Sequence, residues 1–514
     1  MIKTWLDSHM TVATLILFLL SGASVLKAQE SATRMINAHG STSSSKRNLA
    51  NGSATVATNS QAQRVSTNRR PAGKLSQTKS GQSLPAQSGM QAATAREYNR
   101  KGNAYLSGGQ YAEALDAYKQ AVRLKPDLAE ANYGLGWVYN ELKQYAEAVG
   151  PLKQAILLKP DYANAHHELG YAYRNLKWYP EALVAYKQAL RFNPESATAY
   201  YEQGWIYNEL KQYESALESL KQALRLKADY AEAYSELGYT YRKLRRYTDA
   251  IEAYRQAVKF NPENASAWSG LGDIYYYETK QYREAVEAYK QAVSLNPDSA
   301  SVYHNLSWAY NELDQYAEAI NAARQALRLK ADYAEAYNEL GYAYGKQKRD
   351  ADAISSYRQA LRLKQDYGLA YVGLGDIYFY NTKQYQEAVE AYKEGVRLRP
   401  KDVTAHYNLG WAYNELEKYK EAIIPLKQVI SLKPEHASAY NELGYAYRNL
   451  GQYEEAITYY REAVRLKPDL TTAQYNLGSI YLEVGERNKA IEQYRILQKL
   501  NPEKADKLYR EIYK

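Results

Sequence analysis

Four tryptophans share a setting. Trp137, Trp205, Trp308 and Trp411 are each followed three residues later by an asparagine: Asn140, Asn208, Asn311 and Asn414. Elsewhere the same spacing pairs a tyrosine with an arginine, Tyr171 with Arg174, Tyr239 with Arg242 and Tyr445 with Arg448. Tyr342 continues the tyrosine series, and aspartate takes the aromatic place at Asp273 and Asp376. On a helix, side chains three apart share a face. Indole, phenol, guanidinium and amide groups stack and hydrogen-bond, and Trp, Tyr and Arg are the residue types that anchor interfaces. These residues are therefore expected to contact a ligand. Packing of the same rings between neighbouring helices is the competing reading.

Nothing in the sequence assembles a catalytic centre, and no cofactor or metal site is expected. Gly270-Leu-Gly272 and Gly373-Leu-Gly375 imitate a dinucleotide loop but follow no strand and lack its third glycine. His166 and His167 are adjacent, so they point differently on a helix, and His304 and His406 have no ligand partner nearby in sequence. The chain has no cysteine, which excludes disulfides, thiolate metal sites, cysteine nucleophiles and a lipoprotein anchor.

The elements that must position the ligand contacts are repeated. Leu135-Gly-Trp-Val-Tyr-Asn-Glu-Leu-Lys-Gln-Tyr-Ala-Glu-Ala148 returns as Gln203-Gly-Trp-Ile-Tyr-Asn-Glu-Leu-Lys-Gln-Tyr-Glu-Ser-Ala216. The register gives twelve units, 95–128, 129–162, 163–196, 197–230, 231–264, 265–299, 300–333, 334–367, 368–402, 403–436, 437–470 and 471–504. The units at 265 and 368 hold one extra residue. Within a unit, apolar residues recur at helical spacing (Leu135, Tyr139 and Leu142, then Ala148, Leu152 and Ala155), and a proline such as Pro160 closes the second helix. Each unit is thus a helical hairpin too small to bury its own face, and stacking completes the core. From residue 197 the units also cycle in threes, with a block length of 103 residues.

Over about 410 residues the chain resembles the tetratricopeptide repeat family. That family has a small residue at position eight of each unit, an aromatic at eleven, Ala at twenty, an aromatic or Leu at twenty-four, Ala at twenty-seven and Pro at thirty-two. Here position eleven is Tyr in every unit and position twenty Ala, with a one-residue shift to Ala285 and Ala388 in the two longer units. Departures include Ala228, Ala331 and Gln365 at thirty-two, and Gly395, Val429 and Leu497 at twenty-seven. Pro151 and Pro425 fall inside second helices, where kinks are expected. The resemblance implies an all-α, right-handed superhelical solenoid whose concave face is lined by first helices. The groove residues above hold positions nine and twelve of those helices. Residues 505–514 are expected to cap the last unit. The family's chaperone-tail clamp is not expected, because Glu168 stands where its later Arg is needed. A repeat arm of a glycosyltransferase would need a catalytic domain after the array, and only ten residues follow.

The formal net charge of +9 is concentrated ahead of the repeats: residues 29–94 hold eight Lys and Arg against Glu30 alone. The repeats are close to neutral, unlike the basic footprint of a nucleic-acid binder. Lys3, the apolar run Val12–Leu20 and the small residues Ser21–Ser24 have the order of a secretory signal, with cleavage expected after Ala23 or Ala28. An uncleaved membrane anchor is the alternative. Residues 29–94 are rich in Ser, Thr, Asn and Gln and are expected to be a disordered tether. The expected whole is an exported scaffold, periplasmic or extracellular and not an enzyme. It would bind a protein or extended peptide, with a cell-wall glycan or an envelope enzyme as alternatives.

Overall fold

A computed structural model describes residues 84–514, with side chains from Gly89 onward. The expected signal segment and most of the expected tether lie outside the described residues. The first helix, Leu84–Ser107, starts ahead of the first unit, so residues 84–94, assigned to the tether, are helical. Full burial nevertheless begins at Ala95. From there paired helices follow one another without a strand among the described residues. In the second unit they are Ala129–Glu141 and Tyr145–Leu158. Pro151 and Pro425 both sit inside unbroken second helices.

The turn inside the hairpin is the same in every unit except the two with an extra residue, where Gln281 and Gln384 donate to Tyr275 O and Tyr378 O. After Ala129–Glu141 the amide of Lys143 donates to Asn140 O (2.9 Å) and that of Gln144 to Tyr139 O (2.8 Å), which ties off the last carbonyls of the helix. The geometry needs one left-handed residue. Glycine supplies it at Gly109, Gly451 and Gly485, but nine units use another residue, from Lys143 (φ 59°) to Glu417 (φ 57°). The extra residue of the units at 265 and 368 is absorbed in one π-helical turn each, Ile274–Glu278 and Ile377–Asn381.

Packing within a unit is a ring in a notch. A Cβ added at Gly272 would stand 2.5 Å from the ring of Tyr289, which is fully buried. Gly102, Gly170, Gly238, Gly341, Gly375 and Gly444 receive the tyrosine of position twenty-four in the same way, while Gly136, Gly204 and Gly410 receive Leu152, Leu220 and Leu426. The unit without the glycine carries the complementary change. Ser307 is fully buried and its hydroxyl donates to Ala319 O at 2.8 Å, and position twenty-four there is Ala323. After the last unit, helix Pro502–Ile512 closes the array, and its Leu508 fills the notch at Gly478.

The buried core is divided. Its segments run over Ala114–Val138, Ala148–Ile206, Leu220–Ala322, Ala319–Ala412 and Ala422–Ile512. Every division falls in a unit with Trp at position nine and Leu or Ala, not Tyr, at position twenty-four: between its two helices at Leu152, Leu220 and Leu426, and within the second helix of the unit at 300, where Ala322 joins the preceding segment and Ala319 and Ala323 the following one.

Candidate functional site

First helices of successive units pack side by side, which brings position twelve of one unit against positions six and nine of the next. The four asparagines make one recurring contact. Asn140 Nδ2 donates to Glu168 Oε2 (2.9 Å), Asn208 to Glu236 (2.8 Å), Asn311 to Glu339 (2.9 Å) and Asn414 to Glu442 (3.1 Å). Each asparagine is buried, so its amide is spent on holding two units together and does not reach a ligand directly. Asn208 Oδ1 also faces the Thr240 hydroxyl at 2.9 Å.

The arginines bridge units as well. Arg174 Nε lies 3.1 Å from Glu202 Oε2, and its guanidinium stacks 4.0 Å from the Trp205 ring. Arg242 donates to Asp273 Oδ2 at 2.9 Å, and Arg448 donates to Glu483 and to Ser479 Oγ (3.1 Å). The aromatic rings of position nine lean on the preceding hairpin: Tyr171 on Tyr145, Trp205 on Tyr179, Tyr342 on Tyr316 and Tyr445 on Tyr419, with centroids 6.0 to 6.4 Å apart. Trp137 and Trp411 donate their indole N–H to Glu141 and Glu415 one turn on. Trp308 and Trp411 have richer settings, because each π-helical turn pushes an extra aromatic toward them. Trp308 meets Tyr276 at 5.1 Å and Tyr277 at 5.7 Å; Trp411 meets Phe379 at 4.8 Å and Tyr380 at 5.9 Å. The tryptophans, Tyr171 and Tyr239 remain partly exposed, and Tyr342 and Tyr445 are exposed. Most position-nine rings thus pack against a neighbouring unit and remain at least partly exposed.

This face is acidic. From residue 129 on, the first helices carry sixteen Asp and Glu against five Lys and Arg. Burial pushes the carboxyls of Glu202, Glu236, Glu339, Asp376 and Glu442 above the ordinary range, and the asparagine and tyrosine donors pull most of them part of the way back. A cavity of about 400 Å³ opens here, walled by Glu236, Tyr239, Arg242, Ser266, Ser269 and Asp273. A larger one, about 710 Å³, lies away from these residues, between second helices around Val258, Trp268, Leu271 and Tyr275.

The comparison with known families bears on this geometry. A family model described as the TPR repeat matches residues 102–142, 136–177, 204–244, 308–348, 379–416, 410–451 and 444–485, more than half of the chain. The chain belongs to the tetratricopeptide repeat family. Further tetratricopeptide repeat models match 235–300, 185–218, 288–321, 163–196, 334–367 and 471–504. Solved structures similar to this TPR chain include the APC/C hetero-tetramer Cut9-Hcn1, at 16% identity and TM-score 0.42, covering 84% of this chain and 99% of that one. YrrB, titled a TPR protein with an unusual peptide-binding site, is similar at 24% identity and TM-score 0.34, covering 37% and 97%. MamA is similar at 28% identity and TM-score 0.31, covering 34% and 94%. No curated protein sequence matches.

Two sets of residues on this TPR face escape a reading confined to positions nine and twelve. Position six supplies the carboxylates, whose signal is the recurrence of Glu168, Glu202, Glu236, Glu339 and Glu442 one turn before position nine. Tyr277 and Tyr380 reach the tryptophans only because of the π-helical turns, which leave no mark in sequence beyond the extra residue. Position four, by contrast, is structural: His166 and His406 contact the carbonyls of Pro160 (2.9 Å) and Pro400 (3.1 Å), as Asn132 and Gln474 do with Pro126 and Pro468.

Glu339→Gln is expected to stabilise the array at neutral pH. Burial raises the wild-type carboxyl above its ordinary value of 4.5, so the folded state binds more protons than the unfolded chain between that value and the raised one. Stability is then greatest below this window and falls as pH climbs through it. Glutamine removes the slope. Its oxygen still accepts from Asn311, and its amide finds Asn338 Oδ1, a buried acceptor without a donor, once that side chain flips. Urea unfolding at pH 4 and pH 7 should show the variant's advantage growing with pH; an advantage constant with pH would place the effect elsewhere.

Proposed function

We propose that this chain is an exported scaffold that binds another protein by taking an extended segment of it along the first-helix face. The observation that carries the reading is the interlock of positions six, nine and twelve across units. It fixes a row of partly exposed aromatic rings backed by largely buried carboxylates, and rigid anchors of this kind lower the ordering cost of binding. Scaffolding of protein–protein contacts is the usual work of TPR solenoids, and export rests on the order of residues in 1–28.

Photo-crosslinking tests the face. A benzoylphenylalanine at Tyr342, exposed on the first helices, should capture a partner in the native envelope, and one at Leu157, 72% exposed on a second helix, should not. Capture from Leu157 alone would move the binding surface to the other side.

A further inference from the structure

The 103-residue block occurs twice with one informative difference. In the first copy Asp273 is satisfied on both oxygens: Oδ1 accepts from the Tyr289 hydroxyl (2.9 Å) and Asn305 (3.2 Å), and Oδ2 from Arg242 (2.9 Å). In the second copy Asp376 keeps the first pair, Tyr392 at 2.6 Å and Asn408 at 3.0 Å. The residue in the place of Arg242 is Gly345, and among the described residues no donor reaches Asp376 Oδ2. Arg174 and Arg448 fill the same place elsewhere in the array. Lys346 adds a nearby positive charge but makes no hydrogen bond to the carboxylate. It lies over the Tyr342 ring at 5.2 Å, the seat that Lys243 takes over Tyr239 at 5.1 Å where Arg242 is present. The second carboxylate near Arg242, Glu278, has become Asn381, so the change is not confined to the arginine, yet the Asp376 carboxylate is retained. Beside it stands Tyr380, exposed, with its hydroxyl donating to Asn408 (2.9 Å) and its ring 5.9 Å from that of Trp411.

We infer that Asp376 and Tyr380 form a seat for a cationic side chain, an arginine above all, of an extended basic peptide from the partner protein. The carboxylate takes the guanidinium that Gly345 does not supply, and the Tyr380 ring flanks it as Tyr277 flanks Arg242, 6.0 Å away, in the first copy. The acidic bias of the first helices favours the same ligand charge along the rest of the groove. This inference rests on the peptide-binding reading above and adds the chemistry of the ligand.

The test uses the full chain and a fluorescein-labelled peptide of alternating arginine and serine, with a glutamate counterpart as control, followed by anisotropy. The arginine peptide should bind the wild type and the glutamate peptide should not. Asp376→Asn keeps an oxygen for Tyr392 and Asn408 but loses the charge, and should weaken binding about tenfold, the usual worth of a charge-assisted contact. Gly345→Arg should weaken it similarly by placing the chain's own guanidinium on Asp376. Its Cβ meets only the tip of Ile377 (2.4 Å), which can rotate away, and an unchanged thermal melt confirms the fold. Arg242→Gly should do the reverse, opening an equivalent seat at Asp273 and doubling the stoichiometry. The inference is overturned if the arginine peptide fails to bind the wild type, or binds both Asp376→Asn and Gly345→Arg as well as it binds the wild type. In either case capture through Tyr342 would still uphold peptide binding, whereas loss of capture would remove the broader reading itself.

Discussion

Tyr289→Ala is expected to lower the stability of the array by about 3–5 kcal/mol, the range for truncating a large buried aromatic. The ring is fully buried against Gly272, its hydroxyl is spent on Asp273, and its removal leaves both a cavity and a carboxylate short of a donor. Gly272→Ala attacks the same joint from the other side. Its Cβ would stand 2.5 Å from a ring with no room to retreat, and overpacking of this kind costs about 1–3 kcal/mol. The unit at 300 supplies an internal control, since Ser307 and Ala323 already form the inverse pair. Ala323→Tyr alone should destabilise, and Ser307→Gly should relieve it, a coupling that a double-mutant cycle in urea reads directly. Additive effects would mean that position eight does not receive position twenty-four.

Deleting residues 300–402 is expected to leave a folded, cooperative array with weaker binding. The junction sets Ser299 before Val403, so the π-helical turn Ile274–Glu278 meets Trp411 in place of Trp308, and Asp273 meets Asn408 in place of Asn305. Tyr276 and Phe379 occupy matching places against those tryptophans, so the new interface repeats one already present. Because each unit contacts mainly its neighbours, the denaturant slope should fall in proportion to the surface removed while the transition remains single. The deletion also removes Asp376 and Tyr380, so the arginine peptide should lose its main seat. A molten or aggregated product in circular dichroism would contradict the one-dimensional account.

The hairpins were legible because their signals are local and repeated twelve times. Tyr at position eleven, Ala at twenty and a closing proline set both helices and their register, and the extra residue at 265 and 368 was countable. What that residue does was not legible. A thirty-fifth residue can lengthen a turn or bulge a helix, and only the packing of Tyr276 and Phe379 decides between them. The first-helix face was legible, but the network on it was not. Asn140 and its counterparts have the composition of ligand contacts, but the Glu that occupies each amide lies 28 residues away, beyond any helical periodicity. The beginning of the first helix was also misplaced. Residues 84–94 have the polarity of a tether, and their helix extends one that is anchored only from Ala95 onward.

The divided core has a mechanical consequence. Where a tyrosine plugs its glycine notch, neighbouring hairpins share one continuous interior and resist shear together. Where Leu152, Leu220, Ala323 or Leu426 stands instead, the plug is smaller and the interior parts. Cooperative opening follows contiguous buried contacts. Pulled from its ends, the array is therefore a series of stiff links with compliant joints, the softest at Ala323, and it yields joint by joint instead of along its whole length. A full 103-residue block paid out at such a joint extends by roughly 350 Å of chain at about 3.3–3.6 Å per residue. That is enough slack to absorb a sudden load while the links on either side keep their grip.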